Sequence, residues 1–437
     1  MPLISQDRWR EAEDIAGDCF YDHTVARAQA LAPLTGEHVA DVVVIGAGVA
    51  GLSCALELAA RGIACVVLEA KRVGSGASGR NGGQLLPGFS CDLDVIRAQL
   101  GDAPAREAWD MSLEGMSMVR EHAARASDGC DYQPGWMILA ARRGHVEELA
   151  SWYRELSGPL AYGNVEFVHA ADVGRVCGGT GYHAALVDHH AGHLNPLKLM
   201  LALARECDRR SVRIFENSKV TSVARGARLS VATAQGSVRC KHVVVAANVF
   251  AEELRLVPER QVMTVGNTII ATEPIDAALC ARMLPSGYSA CDTNFMLDYF
   301  RITAERRMLW GGGSTYLKHD SRDRVTMLRK KMIARFPELG AARIDHAWGG
   351  LIDVTASRAP DFGRIDSNVF YLQGFSGHGL NVAAIAGRIT AEAILGDGRR
   401  FGVFCGLRHR AFPRGALLRR AVLSVGTWYF RARDALA

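Results

Sequence analysis

Hydrophobic positions along the chain fall into two patterns, short solid runs and wider stripes of helical spacing. Residues 41–45, DVVVI, form an apolar β-branched run that stops at Gly46. The following LSCALELAARG has the spacing of a helix that ends at Gly62, and IACVVLEA forms a second solid run closing on Glu69. Solid runs of this length predict strands buried on both faces, as in a parallel sheet, with the stretch between them as the crossover helix. A second helix is predicted over 193–210, HLNPLKLMLALARECDRR, with proline near its start and apolar positions at 197, 199, 200, 201, 203 and 204. VRIFENSKVTSV predicts two short strands around a polar turn, and KHVVVAANVF, 241–250, another buried strand that Asn248 closes. Residues 262–316 read as strands, with a hairpin turn at AERR. Alternation in MLDYFRITA puts Tyr299 and Arg301 on one face, and Phe300 and Ile302 on the other. Over 369–396 an apolar strand runs into GFSGHG and then a long helix of small residues. Strands and helices in this order predict an α/β fold with a Rossmann-type domain.

Gly46, Gly48 and Gly51 sit between the first strand and first helix as G-x-G-x-x-G, and Glu69 follows Gly46 by 23 residues at the end of the second strand. This is the spacing of a dinucleotide-binding βαβ unit. Gly46 permits the tight turn, Gly48 lets backbone amides approach a pyrophosphate at the helix N-terminus, and Gly51 lets the helix lie close on the strand. Glu69 is placed to accept hydrogen bonds from a ribose diol. The next stretch, AKRVGSGASGRNGGQLLPGF, carries glycines 74, 76, 79, 82, 83 and 88, too many for a helix and too few apolar positions for a strand. Read as a loop, it is either a flexible linker or a run of exposed amides that wraps an extended diphosphate and a ring edge. At the far end of the chain, the turn before the last helix sets glycines and free amides at a helix start. Free amides and a partial positive charge are thus offered there to an approaching ligand.

Composition narrows the class. The chain has 437 residues, 49% hydrophobic and 22% charged, enough for two or three cores of about 150 residues each and too apolar for disorder. Eleven scattered cysteines, an odd number with no C-x-x-C pair, read as reduced packing residues in a cytoplasmic protein. The N-terminus has no secretory pattern, and no apolar stretch is long enough to span a bilayer. Residues 398–437 hold nine arginines against one acid, Asp434, so the rest of this +5 chain is close to neutral. Within that tail, LLRRAVLSVGTWYFRARDAL either packs on the body with its arginines in water, or lies on an anionic membrane surface at the inner face of the membrane. No nucleic-acid partner is expected.

The first βαβ followed directly by LEA and VGSGASGRNGGQ resembles the FAD-dependent amine oxidoreductases of the D-amino-acid oxidase and glycine oxidase superfamily, and within it the γ-glutamylputrescine oxidoreductase family. The similarity runs from Tyr21 onward through GHLNPLKL, VVVAANVF, WGGLID, RAPDFGR and GFSGHGL. It implies FAD, an FAD-binding domain made of 41–90, 190–250 and 355–397, and a substrate domain of 91–189 and 251–354 built on a mixed sheet. An N-terminal arm, 1–40, and the basic helical tail, 398–437, flank them. The residues expected at the cofactor are Gly46, Gly48, Val49, Ala50, Gly51, Glu69, Ala70 and Lys71, then Ser78, Gly79, Arg80, Asn81, Gly82, Gly83 and Gln84. Later contributors are Val220 at the adenine, Asn248 in a turn beneath the cofactor, and Gly374, Gly377, His378, Gly379 and Leu380 at the pyrimidine edge, with Asn381 capping the first turn.

Tyr299, Arg301 and His378 are the candidate catalytic residues. Arg301 is either an exposed strand cation or a group that steers a charged substrate, and His378 is either a packing histidine or a flavin neighbour. Amino-acid oxidases of the superfamily commonly hold the substrate carboxylate with an arginine where this chain has Leu351, Ile352 and Asp353. The departure points to a donor carbon without a carboxylate, such as a primary amine whose ammonium Asp353 attracts, although Arg301 or Arg358 could stand in for the missing arginine. Asp188, His189, His190 and His193 resemble a metal cluster on count alone, and no metal is expected, since the redox chemistry needs only the flavin. Asn195 stands where the family has a second histidine. The implied reaction passes a hydride equivalent from the carbon beside nitrogen to flavin and yields an imine that water hydrolyses, with oxygen or a quinone as final acceptor. The alternatives are an imino-acid or amino-acid oxidase, for instance on pipecolate, and an FAD-containing assembly protein without amine turnover.

Overall fold

The run at 41–45 is buried because it lies inside a parallel sheet. In the computed structural model, which describes residues 13, 15–226, 228–258, 261–294, 296–315 and 321–413, Val42–Ile45 pairs with Cys65–Leu68 on one side and His242–Val245 on the other. The sheet has six strands in the order Asp361–Asp366, Val369–Gln373, His242–Val245, Val42–Ile45, Cys65–Leu68, Arg213–Phe215, antiparallel only at its Asp361–Asp366 edge. Val42 and Val44 face a helical layer, and Val43 and Ile45 face a four-stranded sheet that includes Gly36–Val39 and Gly236–Cys240. Both faces are covered, so no polar position is tolerated in the run.

Glycines set how closely the helices approach. A Cβ at Gly387, in the helix Gly379–Ile394, would lie 2.5 Å from the Cys54 nitrogen and 2.6 Å from the Ala50 oxygen of the helix Val49–Ala59. Gly115 of the helix Asp102–Arg125 would meet the Asn381 oxygen at 2.2 Å. The first and last binding-type helices are therefore in direct contact, although more than 300 residues separate them in sequence.

A ten-stranded mixed sheet carries the second layer, in the order Gly17–Asp18, Ile344–Thr355, Val262–Thr272, Met308–Thr315, Tyr299–Ile302, Ser289–Asp292, Gln133–Leu139, Ala185–His193, Gln84–Leu85, with Val165–Val168 also paired to Ala185–His193. Its far face is packed by Phe300 stacked on Trp310, ring centroids 4.6 Å apart, with Phe336 edge-on. The glycine-rich loop was expected to hold no strand, yet Gln84–Leu85 pairs with His193 and Gly192. The predicted helix at 193–210 begins only at Pro196, because His193 completes a strand and Asn195 caps the helix through the amides of Leu197 and Lys198.

All eleven cysteines are free, and Cys405 alone is exposed. Among the described residues no helix is long and apolar enough to cross a membrane. The basic segment from 398 begins with a helix, Arg399–Cys405, whose Phe401 and Phe404 are buried and whose Arg399 and Arg400 pair with Glu107 and with Glu114 and Glu392. The apolar stretch 417–429 lies outside the described residues.

Candidate active site

The first glycine turn is built for close approach. Gly46 has φ +105°, and a Cβ there would lie 2.5 Å from the Ala246 oxygen. At Gly51 it would lie 2.0 Å from the Gly46 oxygen, so the helix rests directly on the turn. Gly48 is the N-cap of Val49–Ala59 and supplies no side-chain cap. The Val49 amide donates to Ser78 Oγ at 3.1 Å, tying this turn to the second glycine-rich stretch.

That stretch is wired in place and is no flexible linker. Asn81 Nδ2 donates to the Ala77 and Ser78 oxygens, each at 3.0 Å, while its Oδ1 accepts from the Gly83 amide at 2.8 Å. Arg80 donates to the Gly349 oxygen at 2.9 Å and to the Ala16 oxygen, and its own carbonyl accepts from the Trp348 indole at 2.9 Å. Gln84 Nε2 donates to the Ala290 oxygen at 2.8 Å, and its Oε1 accepts from the Trp136 indole at 3.2 Å.

The late turn lies against the early one. His378, the N-cap of Gly379–Ile394, points Nε2 at the Leu86 oxygen 3.3 Å away. Ser90 Oγ donates to the Ser376 oxygen at 2.9 Å. Asn381 was expected to cap the helix, but its Nδ2 donates to the Gly88 oxygen at 3.1 Å and the helix has no side-chain cap.

The two turns share one cavity of about 560 Å³. Of the candidate residues, Gly48, Val49, Ala50, Ser78, Arg80, Asn81, Gly82, Gln84, Asn248, Tyr299, Gly377, His378, Gly379 and Leu380 line it. Gly46, Gly51, Gly79, Gly83 and Gly374 stand behind this wall as backbone supports; Gly374, at φ +76°, donates its amide to Asp353 Oδ2 at 2.6 Å. Glu69, Ala70, Lys71 and Val220 lie outside the cavity, on the side where the Ser218 amide meets the Glu69 oxygen and the Asn217 amide meets the Lys71 oxygen, each at 2.8 Å. Glu69 accepts from the amides of Ala47 and Lys71, both at 2.9 Å, and burial raises its carboxyl above the usual range.

Tyr299 forms part of the wall: its ring lies on Gly82, where a Cβ would come within 2.6 Å, and its hydroxyl donates to Asn267 Oδ1 at 2.9 Å. Burial pushes its phenol well above the ordinary range, so it stays protonated. Burial likewise holds His378 down to about 4, so it is neutral at physiological pH.

Arg301 requires a correction. It shares the strand face of Tyr299, but it is 3% exposed and does not line the cavity. Its Nε donates to the Gly82 oxygen at 2.8 Å, and its Nη2 to the Leu194 oxygen at 3.0 Å and the Tyr21 hydroxyl at 3.2 Å. The loop at 81–83 and the N-terminal arm cover this part of the strand face, so the guanidinium braces the loop and is shielded from substrate.

Asp353 borders the cavity, but its carboxylate is fully buried beneath the late turn, with Oδ2 accepting from the Gly374 amide at 2.6 Å and Oδ1 without a hydrogen-bond partner among the described residues. Ile352, where the superfamily's arginine was sought, does line the cavity, as does Arg358.

His189, His190 and His193 point apart: His189 meets Tyr288 and Glu166, His190 meets Arg120, and buried His193 meets the Gly287 oxygen. Asp18, His23 and His346 do converge, at the surface and outside the cavity, and their mutual hydrogen bonds of 2.7 Å account for the grouping. Sequence reasoning missed Trp136, Trp152, Asn267 and Glu155, which line the cavity from ordinary-looking amphipathic segments.

Two uncapped helix N-termini opening onto one cavity call for an anionic partner at each, and a dinucleotide flavin supplies both, through its diphosphate and through its pyrimidine edge on reduction. The bare backbone at Gly48, Gly82 and Gly377 lets a flat ring and a diphosphate come close. The fold and the site together define a dinucleotide-dependent oxidoreductase. Comparison with known families is specific: residues 41–393 match the DAO family, FAD dependent oxidoreductase, and the chain belongs to it. It is an FAD-dependent oxidoreductase acting on amine or amino-acid donors.

Among curated proteins it is 39% identical over 400 residues to γ-glutamylputrescine oxidoreductase of Escherichia coli, covering 91% of this chain and 93% of that one. It is 37% identical over 410 residues to a probable oxidoreductase of Haemophilus influenzae, covering 92% and 94%. Among solved structures, glycine oxidase from Geobacillus kaustophilus superposes with a TM-score of 0.71 at 20% identity, covering 86% of this chain and 100% of that one, which establishes the shared fold.

Proposed function

We propose that the chain oxidises a primary amine at the end of an alkyl chain, γ-glutamylputrescine or a related polyamine derivative, to an imine that water hydrolyses to an aldehyde. The observation that carries this reading is Ile352: an apolar side chain faces the cavity where a carboxylate clamp would be needed, and Arg301, one of the two candidate stand-ins, is committed to backbone oxygens. The 39% identity to γ-glutamylputrescine oxidoreductase supports the same substrate class. Arg358 is the cavity arginine that a carboxylate-bearing donor would use, so the test includes such donors.

FAD, when bound, accepts the hydride equivalent from the carbon beside nitrogen. The Ala50 amide at the start of the first helix, beside the Val49 amide that Ser78 Oγ holds, would meet its diphosphate, and the amides of Gly379 and Leu380 would face its pyrimidine edge. Glu69, Ala70, Lys71 and Val220 form the adenosine end. Trp136, Trp152 and Leu186 make an apolar wall along which the alkyl part of the substrate would lie. Tyr299, protonated and tied to Asn267, positions the substrate and does not take its proton. Neutral His378 orients the early loop through Leu86.

The reading keeps 41–90, 190–250 and 355–397 as the FAD-binding unit and 91–189 and 251–354 as the substrate unit, with strand contributions from Gln84–Leu85 and from the end of Ala185–His193 crossing into the larger sheet. The basic segment 414–437 is the part of the chain suited to an anionic membrane surface; equal sedimentation with anionic vesicles before and after its removal would exclude that contact.

Anaerobic mixing of the holoenzyme with γ-glutamylputrescine, putrescine, L-pipecolate and glycine, read by flavin absorbance, tests the reading. Bleaching by the polyamine derivative is expected, and bleaching by pipecolate or glycine alone overturns it. Admitting air then separates acceptors: rapid recovery of colour marks oxygen, and persistence marks a quinone.

A further inference from the structure

Away from the glycine turns the cavity wall is apolar, formed by Trp136, Ile138, Trp152, Leu156, Leu160 and Leu186. Glu155 interrupts it. It sits in the last turn of the helix Val146–Ser157, between Trp152 and Leu156 on the cavity side, with 33% of its side chain exposed. A carboxylate at a helix C-terminus opposes the helix dipole, so this position calls for a cation. Arg97, on the helix Leu93–Leu100 and also 33% exposed, supplies only part of one: its Nη2 reaches Glu155 Oε1 at 3.3 Å, a single-point contact, while the same guanidinium serves Asp94 and Asp102. Among the described residues, Glu155 Oε2 has no partner. The cavity therefore combines an apolar wall with the accessible carboxylates of Glu155 and Asp92, while Arg97 stands behind Glu155, outside the lining.

We propose that Glu155 forms a subsite for the far end of the substrate and holds an ammonium there. This rests on the amine-oxidation reading and specifies it: the donor carries its reacting amine at one end, an uncharged spacer along the apolar wall, and a positive charge at the other end. Binding the far end fixes the reacting carbon, so the subsite is a specificity determinant and takes no part in the bond changes.

Three donors with one reacting end isolate it: γ-glutamylputrescine with both distal charges, γ-aminobutyrylputrescine with the ammonium alone, and N-butyrylputrescine with neither. Steady-state constants of the holoenzyme are measured for each, with FAD content and melting temperature recorded as fold controls. The wild type is expected to prefer the first over the third by about tenfold or more in kcat/KM. Glu155→Gln is expected to narrow that ratio to about twofold, mainly through KM, and Arg97→Gln, which frees Glu155 Oε1, to leave it at about tenfold or more. Glu155→Lys should gain on N-succinylputrescine, whose far end is a lone carboxylate, a gain that misfolding cannot mimic. Equal constants for the charged and neutral donors in the wild type, or a ratio unchanged in Glu155→Gln, overturn the subsite. If none of the donors bleaches the flavin, the amine-oxidation reading fails and takes the subsite with it.

Discussion

Arg301→Met is the substitution that best separates bracing from substrate steering. It keeps most of the aliphatic length and removes every donor. The Gly82 and Leu194 oxygens, held at 2.8 and 3.0 Å, lose charged donors at a site that is 3% exposed. Each stranded carbonyl costs about 1–3 kcal/mol. Part of this is offset, because the variant no longer buries a cation whose hydrogen-bond partners among the described residues are all neutral: two carbonyls, the Tyr21 hydroxyl and His193. The net expectation is a loss of about 2–4 kcal/mol, or a melting temperature lower by about 2–4 °C for a chain of 437 residues. Arg301→Lys should recover roughly half of it. Because the loop at 81–83 rests on this side chain, FAD dissociation should quicken in the methionine variant, while KM for the amine in protein saturated with FAD stays within about twofold. Differential scanning calorimetry with steady-state kinetics reads both quantities. An unchanged melting temperature together with a tenfold or greater rise in KM would refute the bracing role and restore Arg301 to the substrate.

Gly51→Ala places a Cβ 2.0 Å from the Gly46 oxygen, a backbone atom with no room to give, so it should cost about 1–3 kcal/mol and weaken FAD binding in a fluorescence titration; wild-type affinity would contradict the close helix approach. Asp353, fully buried, is pushed from 3.8 up to about 6, so its penalty on the fold is absent below about pH 4, grows as pH rises toward 6 and is constant above; Asp353→Asn should therefore gain about 3 kcal/mol relative to wild type between pH 4 and 7, and a gain that is flat with pH would count against the assignment. His378, held down to about 4 from 6.5, contributes stability that is complete above pH 6.5 and lost as pH falls toward 4; His378→Gln should flatten that limb in denaturation curves recorded across the range, and an unaltered slope speaks against a buried neutral imidazole.

The parts of the site that were legible in the sequence are those in which backbone geometry forces residue type. Gly46 and Gly51 have atoms where a side chain would stand, and the solid apolar runs are buried on both faces, so spacing alone reveals the βαβ unit. Alternation in MLDYFRITA correctly put Tyr299 and Arg301 on one face, but a strand pattern says nothing about what covers that face. The cover on Arg301 includes Tyr21, 280 residues earlier in the chain, and no local pattern carries that contact. Asn381 misled for a similar reason: a polar residue in a first turn reads as a cap, and its true partner is the Gly88 oxygen. The substrate wall was invisible because Trp136, Trp152, Glu155 and Leu186 come from a strand, a helix and a second strand whose patterns are those of ordinary half-buried elements. The cofactor end of the site is set by local geometry, and the substrate end arises only when three distant segments assemble.

The central claim is that an early and a late glycine-rich stretch close on the same flavin. Amide hydrogen exchange of the apoprotein with and without FAD tests it most directly. The account predicts that residues 48–50, 78–84 and 377–380 gain protection together at one equivalent of FAD. Protection of the first stretch alone, with 377–380 exchanging at the apoprotein rate, would contradict it.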